Sequence, residues 1–192
     1  VAFESSATNL VPGDTNDKTD SFVYDRRGDT IERVSIAHDG AQADDHCNSP
    51  ALSADGRFVA FESDADNLSP DDQNNVRNIF VRDTVAGTTV LVSRAGGQAG
   101  AGAAGQSSAP SISGDGRHVA FQSHASNLSA GSNPAVRNVY VRDRARGVTT
   151  LVSRADGEGG TGADADSGQA AISGDGTSIA FVSRASNLSG DD

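Results

Sequence analysis

The 192-residue chain has no tryptophan, no methionine and one cysteine, Cys47. A lone cysteine excludes any disulfide within the chain and fits any redox compartment. No run approaches the ~18 apolar residues of a membrane-spanning helix, so helical membrane insertion is excluded. No secretory leader is visible, and the chain opens at Val1 inside a strand motif, as a piece of a longer protein would. Positive charge is scarce: 15 basic residues, with Lys18 the one lysine, stand against 26 acidic ones, for a net charge of −11. Such a surface repels nucleic-acid phosphates and anionic membranes and suits cations. Apolar residues make up 35% of the chain, little for a compact α/β enzyme.

Glycine, alanine, serine, aspartate and asparagine are plentiful, and the chain repeats itself. VAFESSATNLVPGD (1–14) returns as VAFESDADNLSPDD (59–72), VAFQSHASNLSAGS (119–132) and IAFVSRASNLSGDD (179–192). Phe3, Phe61, Phe121 and Phe181 mark intervals of 58, 60 and 60 residues. Repeats of this size build solenoids, propellers or tandem arrays.

One repeat reads as four strands. PSIS (110–113) is a short run of small residues, GDG (114–116) a tight turn, and RHVAFQS (117–123) an alternating β-branched and aromatic strand. After the polar loop 124–137 come the strand NVYVRD (138–143), the turn RARG (144–147) and the strand VTTLVSR (148–154). Four strands with hairpin turns form one propeller blade. The small-residue segments 50–53, 110–113 and 170–173 suit the crowded axis. Seven of the nine Phe and Tyr residues hold two repeat positions, Phe3, Phe61, Phe121 and Phe181 on one strand and Phe22, Phe80 and Tyr140 on the next, as packing between blades requires. The last strand tolerates change, with Glu32 and Arg33 where the next repeat has Val90 and Leu91, and reads as an edge. A helical repeat would need 3.6-residue stripes, which Gly, Asn and Asp interrupt throughout.

The expectation is an all-β partial propeller of about three blades: blade 1 at about 1–36, blade 2 at about 50–94, blade 3 at about 110–154, and the start of a fourth at about 170–192. Propellers have about four to eight blades. The chain therefore reads as a fragment of a larger ring, to be completed by further blades or, as second choice, by self-association.

The string S-x-D-G-x-x-[VI]-A-F-x-S at 53–63, 113–123 and 173–183, followed by [IV]-[FY]-V-R-D at 78–83 and 138–143, resembles the WD-like propeller repeat of TolB-type proteins. The resemblance covers essentially the whole chain. It implies a propeller and a bacterial secreted, periplasmic or cell-surface setting. Its function is open, since such repeats occur in envelope translocation proteins, in propellers of prolyl-oligopeptidase-like peptidases and in other secreted proteins.

The loop between the second and third strands carries the best candidate for chemistry. Asp14, Asn16 and Asp20 read D-x-N-x-x-x-D, and oxygens at alternate loop positions suit calcium, with a carbonyl from Lys18. Asp72, Asn74 and Asn78 are a weaker version, and Ser132, Pro134 and Asn138 have lost the pattern. The alternative is an Asx-rich turn without metal. Alternation places this loop on the same face as the long linkers 37–49, 95–109 and 155–169, with Asp44, Asp45, Asp156, Glu158, Asp164 and Asp166. Variable loops on one face of a scaffold are where a protein or carbohydrate partner would bind.

Other motifs read as architecture. Arg27-Gly28-Asp29 falls at a turn, aligned with Ala86-Gly87-Thr88, so its glycine is expected to make the turn. Asn67, Asn127 and Asn187, each in N-L-S, are expected to brace a loop rather than carry glycans. His46 beside Cys47 is half a metal site with no neighbours to complete it. Ser53, Ser113 and Ser173 precede turns. No G-x-S-x-G elbow and no phosphate-cradling glycine loop is present. The expectation is a non-enzymatic binding or scaffold module. An accessory propeller of a hydrolase and a TolB-like translocation component are the alternatives.

Overall fold

The computed structural model describes residues 1–72, 74–157 and 159–189. Thirteen strands and no helix occur among them. β1 (Ala2–Ser5), β2 (Asp20–Asp25) and β3 (Thr30–Arg33) form one antiparallel sheet. β4 (Cys47–Leu52), β5 (Phe58–Ser63), β6 (Asn78–Asp83) and β7 (Thr88–Leu91) form a second. β8 (Ser107–Ile112), β9 (His118–Ser123), β10 (Asn138–Asp143) and β11 (Val148–Leu151) form a third, and β12 (Ser167–Ile172) pairs with β13 (Ile179–Ser183) in the last. Each sheet is an up-and-down meander, because every connection inside it is a short turn or one polar loop.

The turns are set by residue chemistry. Ser53 Oγ donates to Asp55 Oδ1 (2.6 Å) and accepts the Phe58 amide (2.9 Å), while Gly56 takes φ +78°. Ser113 and Ser173 repeat this clasp on Asp115 and Asp175. At the β6–β7 turn, Asp83 Oδ1 accepts the amides of Val85 and Ala86 and Gly87 takes φ +69°. Asp83 is also held by both nitrogens of an Arg57 fork at 2.9 and 2.7 Å, as Asp143 is by Arg117. In the first sheet Asp25 pairs with Thr30 as Asp83 pairs with Thr88, which puts Asp29, not Gly28, at the place of Gly87. Asp29 adopts φ +50°, which a short polar residue tolerates, and Tyr24 Oη donates to its carboxylate at 2.8 Å. The expected role of Gly28 thus belongs to its neighbour.

Packing follows the alternation of each strand. Phe61 lies opposite Phe80 with ring centroids 5.9 Å apart, and the Phe3–Phe22 and Phe121–Tyr140 pairs repeat this at 5.6 and 5.8 Å. The aromatic face of the third sheet, Phe121 and Tyr140, packs on the aliphatic face of the second, Ala60, Ile79 and Val81, in one continuous core. These side chains are fully buried, the aromatic and branched ones each worth about 1.5–3 kcal/mol of transfer free energy. β7 and β11 are the outer edges: Thr88, Val90 and Val148 are exposed while Leu91 and Leu151 turn inward.

The innermost strands begin at Cys47, Ser107 and Ser167, ahead of the small-residue runs read from sequence. A bulge explains the difference. The register of β4 on β5 shifts between Asn48 and Ala51, and the same shift occurs in β8 and β12. Ser49, Ala109 and Gln169 sit in the bulges at φ of 52°, 52° and 53°.

Candidate functional site

In the first sheet the loop after β1 brings Asp14, Asn16 and Asp20 together, and Arg33 comes to meet them. Arg33 Nη1 lies 3.0 Å from Asp14 Oδ1 and 3.4 Å from Asp20 Oδ2. Asp20, fully buried, also receives Ser35 Oγ at 2.5 Å and Asn16 Nδ2 at 3.1 Å. Asn16 Oδ1 accepts the Lys18 amide, and its Nδ2 reaches the Ala43 carbonyl in the linker to the next sheet. Lys18 Nζ pairs with Asp45 at 3.0 Å. The oxygens of Asn16 and Asp20 are thus committed to a guanidinium, a hydroxyl and amides, while Asp14 Oδ1 is buried beside the Arg33 guanidinium without a hydrogen bond. This arrangement does not fit calcium as it stands, because the ion would have to displace Arg33.

The second sheet solves the same problem without a cation. Asn78 Nδ2 donates to Asp72 Oδ1 (3.1 Å), Asn74 Oδ1 (2.9 Å) and the Val76 carbonyl. Asn78 Oδ1 accepts from Ser93 Oγ at 2.7 Å, and Asn74 Nδ2 holds the Ala103 carbonyl at 2.8 Å. The buried Asp72 carboxyl is pushed up to about 6, mainly by desolvation. In the third sheet Asn138 Nδ2 takes the Asn133 and Val136 carbonyls, and Asn133 reaches Ala163. Among the described residues no three His, Cys, Asp or Glu side chains cluster as metal ligands.

The sequence carried an unread signal for Arg33. It stands where Leu91 and Leu151 stand in the other sheets, and only in its own repeat are both loop positions aspartate. An extra carboxylate and an arginine arrive together. Their edge position explains less than this pairing does.

The loop and the linkers do share one face, and the asparagines of the N-L-S triplets hold them there. Asn67 donates to the Gln42 carbonyl (2.7 Å) and accepts the Asp44 amide (3.2 Å). Asn127 does this with Gly102 and Ala104, and Asn187 with Gly162 and Asp164. Much of the acidic lining is spent the same way. Asp44 accepts the Asp66 amide, Asp164 accepts the amide and hydroxyl of Ser186, and Asp166 accepts the Arg137 amide. Asp156 is exposed, and Glu158 lies outside the described residues. The linker tips around Asp39-Gly40 and Asp156-Gly157 are exposed, whereas the tip at Gly97-Gln98 is bonded to Gly147, Arg144 and Ala145 of the β10–β11 turn.

Cys47 and His46 do not face a common centre. The Cys47 thiol sits 3.1 Å from Ser63 Oγ, where the other sheets pair Ser107 with Ser123 and Ser167 with Ser183. Burial pushes the thiol up to about 12. His46 Nδ1 accepts the Thr19 amide at 3.0 Å.

Successive four-stranded meanders, packed face to face with the small-residue strand innermost, are the blades of a propeller. Among solved structures the chain is similar to TolB from Acinetobacter baumannii, with TM-score 0.52 at 19% identity over 92% of this chain and 34% of that one. It is similar to a putative TolB from Agrobacterium tumefaciens, with TM-score 0.51 at 16% identity over 88% of this chain and 52% of that one. Tricorn protease gives TM-score 0.52 at 14% identity, over 88% of this chain and 13% of that one. The chain is a partial β-propeller. It spans between about an eighth and a half of the length of these relatives. No protein-family model and no curated protein matches the sequence.

Proposed function

We propose that this partial propeller is a non-catalytic binding or scaffold module of a secreted or envelope-associated bacterial protein, and that its working surface is the linker face. One observation carries the reading. The linkers are pinned by the same asparagine clasp in three successive blades, while their tips differ in length, charge and glycine content. A rigid frame with variable tips suits recognition of a protein or carbohydrate partner. The non-catalytic part is supported by how the recurrent polar side chains are used: Ser53, Ser113 and Ser173 close turns, and Asp14, Asp20, Asp44 and Asp164 hold loops. The envelope setting is supported by the likeness to two TolB structures, which extends to the fold.

The test is binding of the chain to immobilised glycans and to purified bacterial envelope proteins, beside a panel of chromogenic peptide, ester and glycoside substrates. Replacing the exposed tip residues His38 and Asp156 with serine is expected to weaken the binding found. Replacing Val85, exposed on the β6–β7 turn, is expected to leave it intact. The reverse pattern overturns the choice of face, and substrate turnover that scales with protein concentration overturns the non-catalytic reading. The likeness to tricorn protease favours a second reading, an accessory propeller of a hydrolase whose catalytic residues lie on another domain. A G-x-S-x-G elbow with a later Asp and His in the same polypeptide would select it.

A further inference from the structure

Blades 2 and 3 meet along a cleft that collects positive charge in a strongly anionic chain. A cavity of about 280 Å³ opens between the outer strand of blade 2, at Val90–Val92, and the end of β10. Arg94, Arg142, Arg144 and Gln98 line it, with Asp71 the one acidic residue among its described lining.

The equivalent place between blades 1 and 2 separates what the architecture needs from what is surplus. Arg142 has a counterpart there, Arg82. Each clamps carbonyls of the preceding linker: Arg82 Nη1 reaches Ala37 at 3.3 Å, and Arg142 reaches Ala95 and Gly97, both at 2.8 Å. Arg94 and Arg144 have no such counterparts. Ile36 makes the bridge to Gln42 that Arg94 makes to Gly102, and the Thr84 amide takes the Arg57 carbonyl as the Arg144 amide takes that of Arg117. The junction of blades 2 and 3 therefore carries charge, Arg94 from one blade and Arg144 from the other, that the junction of blades 1 and 2 is built without.

That charge is incompletely balanced. Arg94 pairs with Asp71 at 2.7 Å. Among the described residues no carboxylate lies within ion-pair distance of Arg142 or Arg144. Burial, and after it the neighbouring Arg94, brings the Arg142 guanidinium down to about 10, as expected for a buried cation lacking a counter-ion. Arg144 donates Nη1 to the Gly116 carbonyl and lies 4.8 Å over the Phe58 ring, and its Nε is buried with no partner. Asp143 and Asp83 act on Arg142 and Arg144 only through space, so two guanidiniums of the cleft have no carboxylate in contact and Arg144 keeps an unused donor.

We propose that this cleft binds a compact oxyanion, the class that includes inorganic phosphate, sulfate and small carboxylates. Arg144 supplies the free donor, Arg142 a guanidinium with no carboxylate in contact, and Asp71 sets the competition for Arg94. The site is independent of the linker-face reading.

The experiment titrates the intact chain separately with sodium phosphate, sulfate and acetate at ionic strength held constant with sodium chloride. Arginine Nε–H resonances and melting temperature are followed. A saturable shift of the Arg144 Nε–H signal, with a rise in melting temperature, is expected for at least one anion. Response to phosphate and sulfate alone defines a tetrahedral-anion site, and response to acetate as well extends it to carboxylate groups; both support the proposal. Arg144→Thr places the blade 2 residue at that position and is expected to abolish the saturable response in a folded protein. Asp71→Asn frees Arg94 and is expected to tighten binding several-fold. If Arg144→Thr does not fold, the Asp71→Asn titration decides, and unchanged affinity overturns the proposal. A response that is absent, or no greater than that to chloride, also overturns it.

Discussion

The Glu62 carboxylate of blade 2 accepts a hydrogen bond from the backbone amide of Ala109, 2.7 Å away in blade 3. Glu4 makes the same bond to Ser49 at 2.6 Å, and the Gln122 amide oxygen makes it to Gln169 at 3.1 Å. Each donating amide belongs to the left-handed bulge residue of an innermost strand. One blade thereby fixes a strained point of the next, where a non-glycine residue at φ near +52° costs of order 1 kcal/mol.

Removing that acceptor is expected to loosen the ring at the axis. Glu62→Leu leaves the Ala109 amide unpaired and strips Arg77 of a carboxylate 3.5 Å away. A loss of about 1–3 kcal/mol is expected in urea unfolding. Glu62→Gln, the choice blade 3 makes at Gln122, is expected to stay within about 1 kcal/mol of the parent. Equal losses in the two variants would mean that the side chain's charge, not the bulge amide, is what matters.

Calcium response hinges on Arg33. With the guanidinium between Asp14 and Asp20, millimolar calcium is expected to leave the melting temperature where a chelator leaves it. Arg33→Gln exposes two buried carboxylates to each other. It is expected to cost about 3 kcal/mol or more without calcium and to regain part of that with calcium. A calcium-dependent rise in the parent protein, abolished by Asp14→Ala, would instead show that the ion displaces the arginine.

Asp72 gives stability a pH dependence of unusual sign for a carboxylate. Its carboxyl, raised to about 6 chiefly by burial, holds a proton more tightly folded than unfolded. The unfolded value is about 4. The contribution of this group is full below about pH 4 and is lost as pH rises through about 6, about 2–3 kcal/mol in all. Asp83 works oppositely: the Arg57 fork holds it at about 2, so its contribution is present above about pH 4 and fades as pH falls towards 2. Urea midpoints at pH 5 and pH 7.5 are expected to fall with pH in the parent and to change less in Asp72→Asn. Parallel pH profiles for the two proteins would refute the assignment.

Cys47 is expected to behave as a buried serine. With its thiol pushed up to about 12 and fully enclosed, it should resist alkylation at pH 8 in the folded protein and react at once in denaturant. Cys47→Ser restores the hydroxyl pair of the other blades and is expected to change stability by less than about 1 kcal/mol. Rapid labelling of the native protein would show that β4 opens locally.

The sequence by itself determined the repeat, the order of strands within it and the aromatic rows, because these depend on period-two alternation and on turn residues that act within a few positions. The aligned phenylalanines, the Asp-Gly turns and the bracing asparagines are local choices repeated along the chain, and repetition made them legible. Only the tertiary structure decided the bulges at Ser49, Ala109 and Gln169, whose left-handed backbone depends on a side chain of the preceding blade. It also decided that Arg33 fills the loop of Asp14 and Asp20, and that Arg142 and Arg144 stand in one cleft without a counter-ion. These depend on which charges the packing of a loop on its own sheet, or of one blade on another, removes from water together, and that distance in space is not written in distance along the chain.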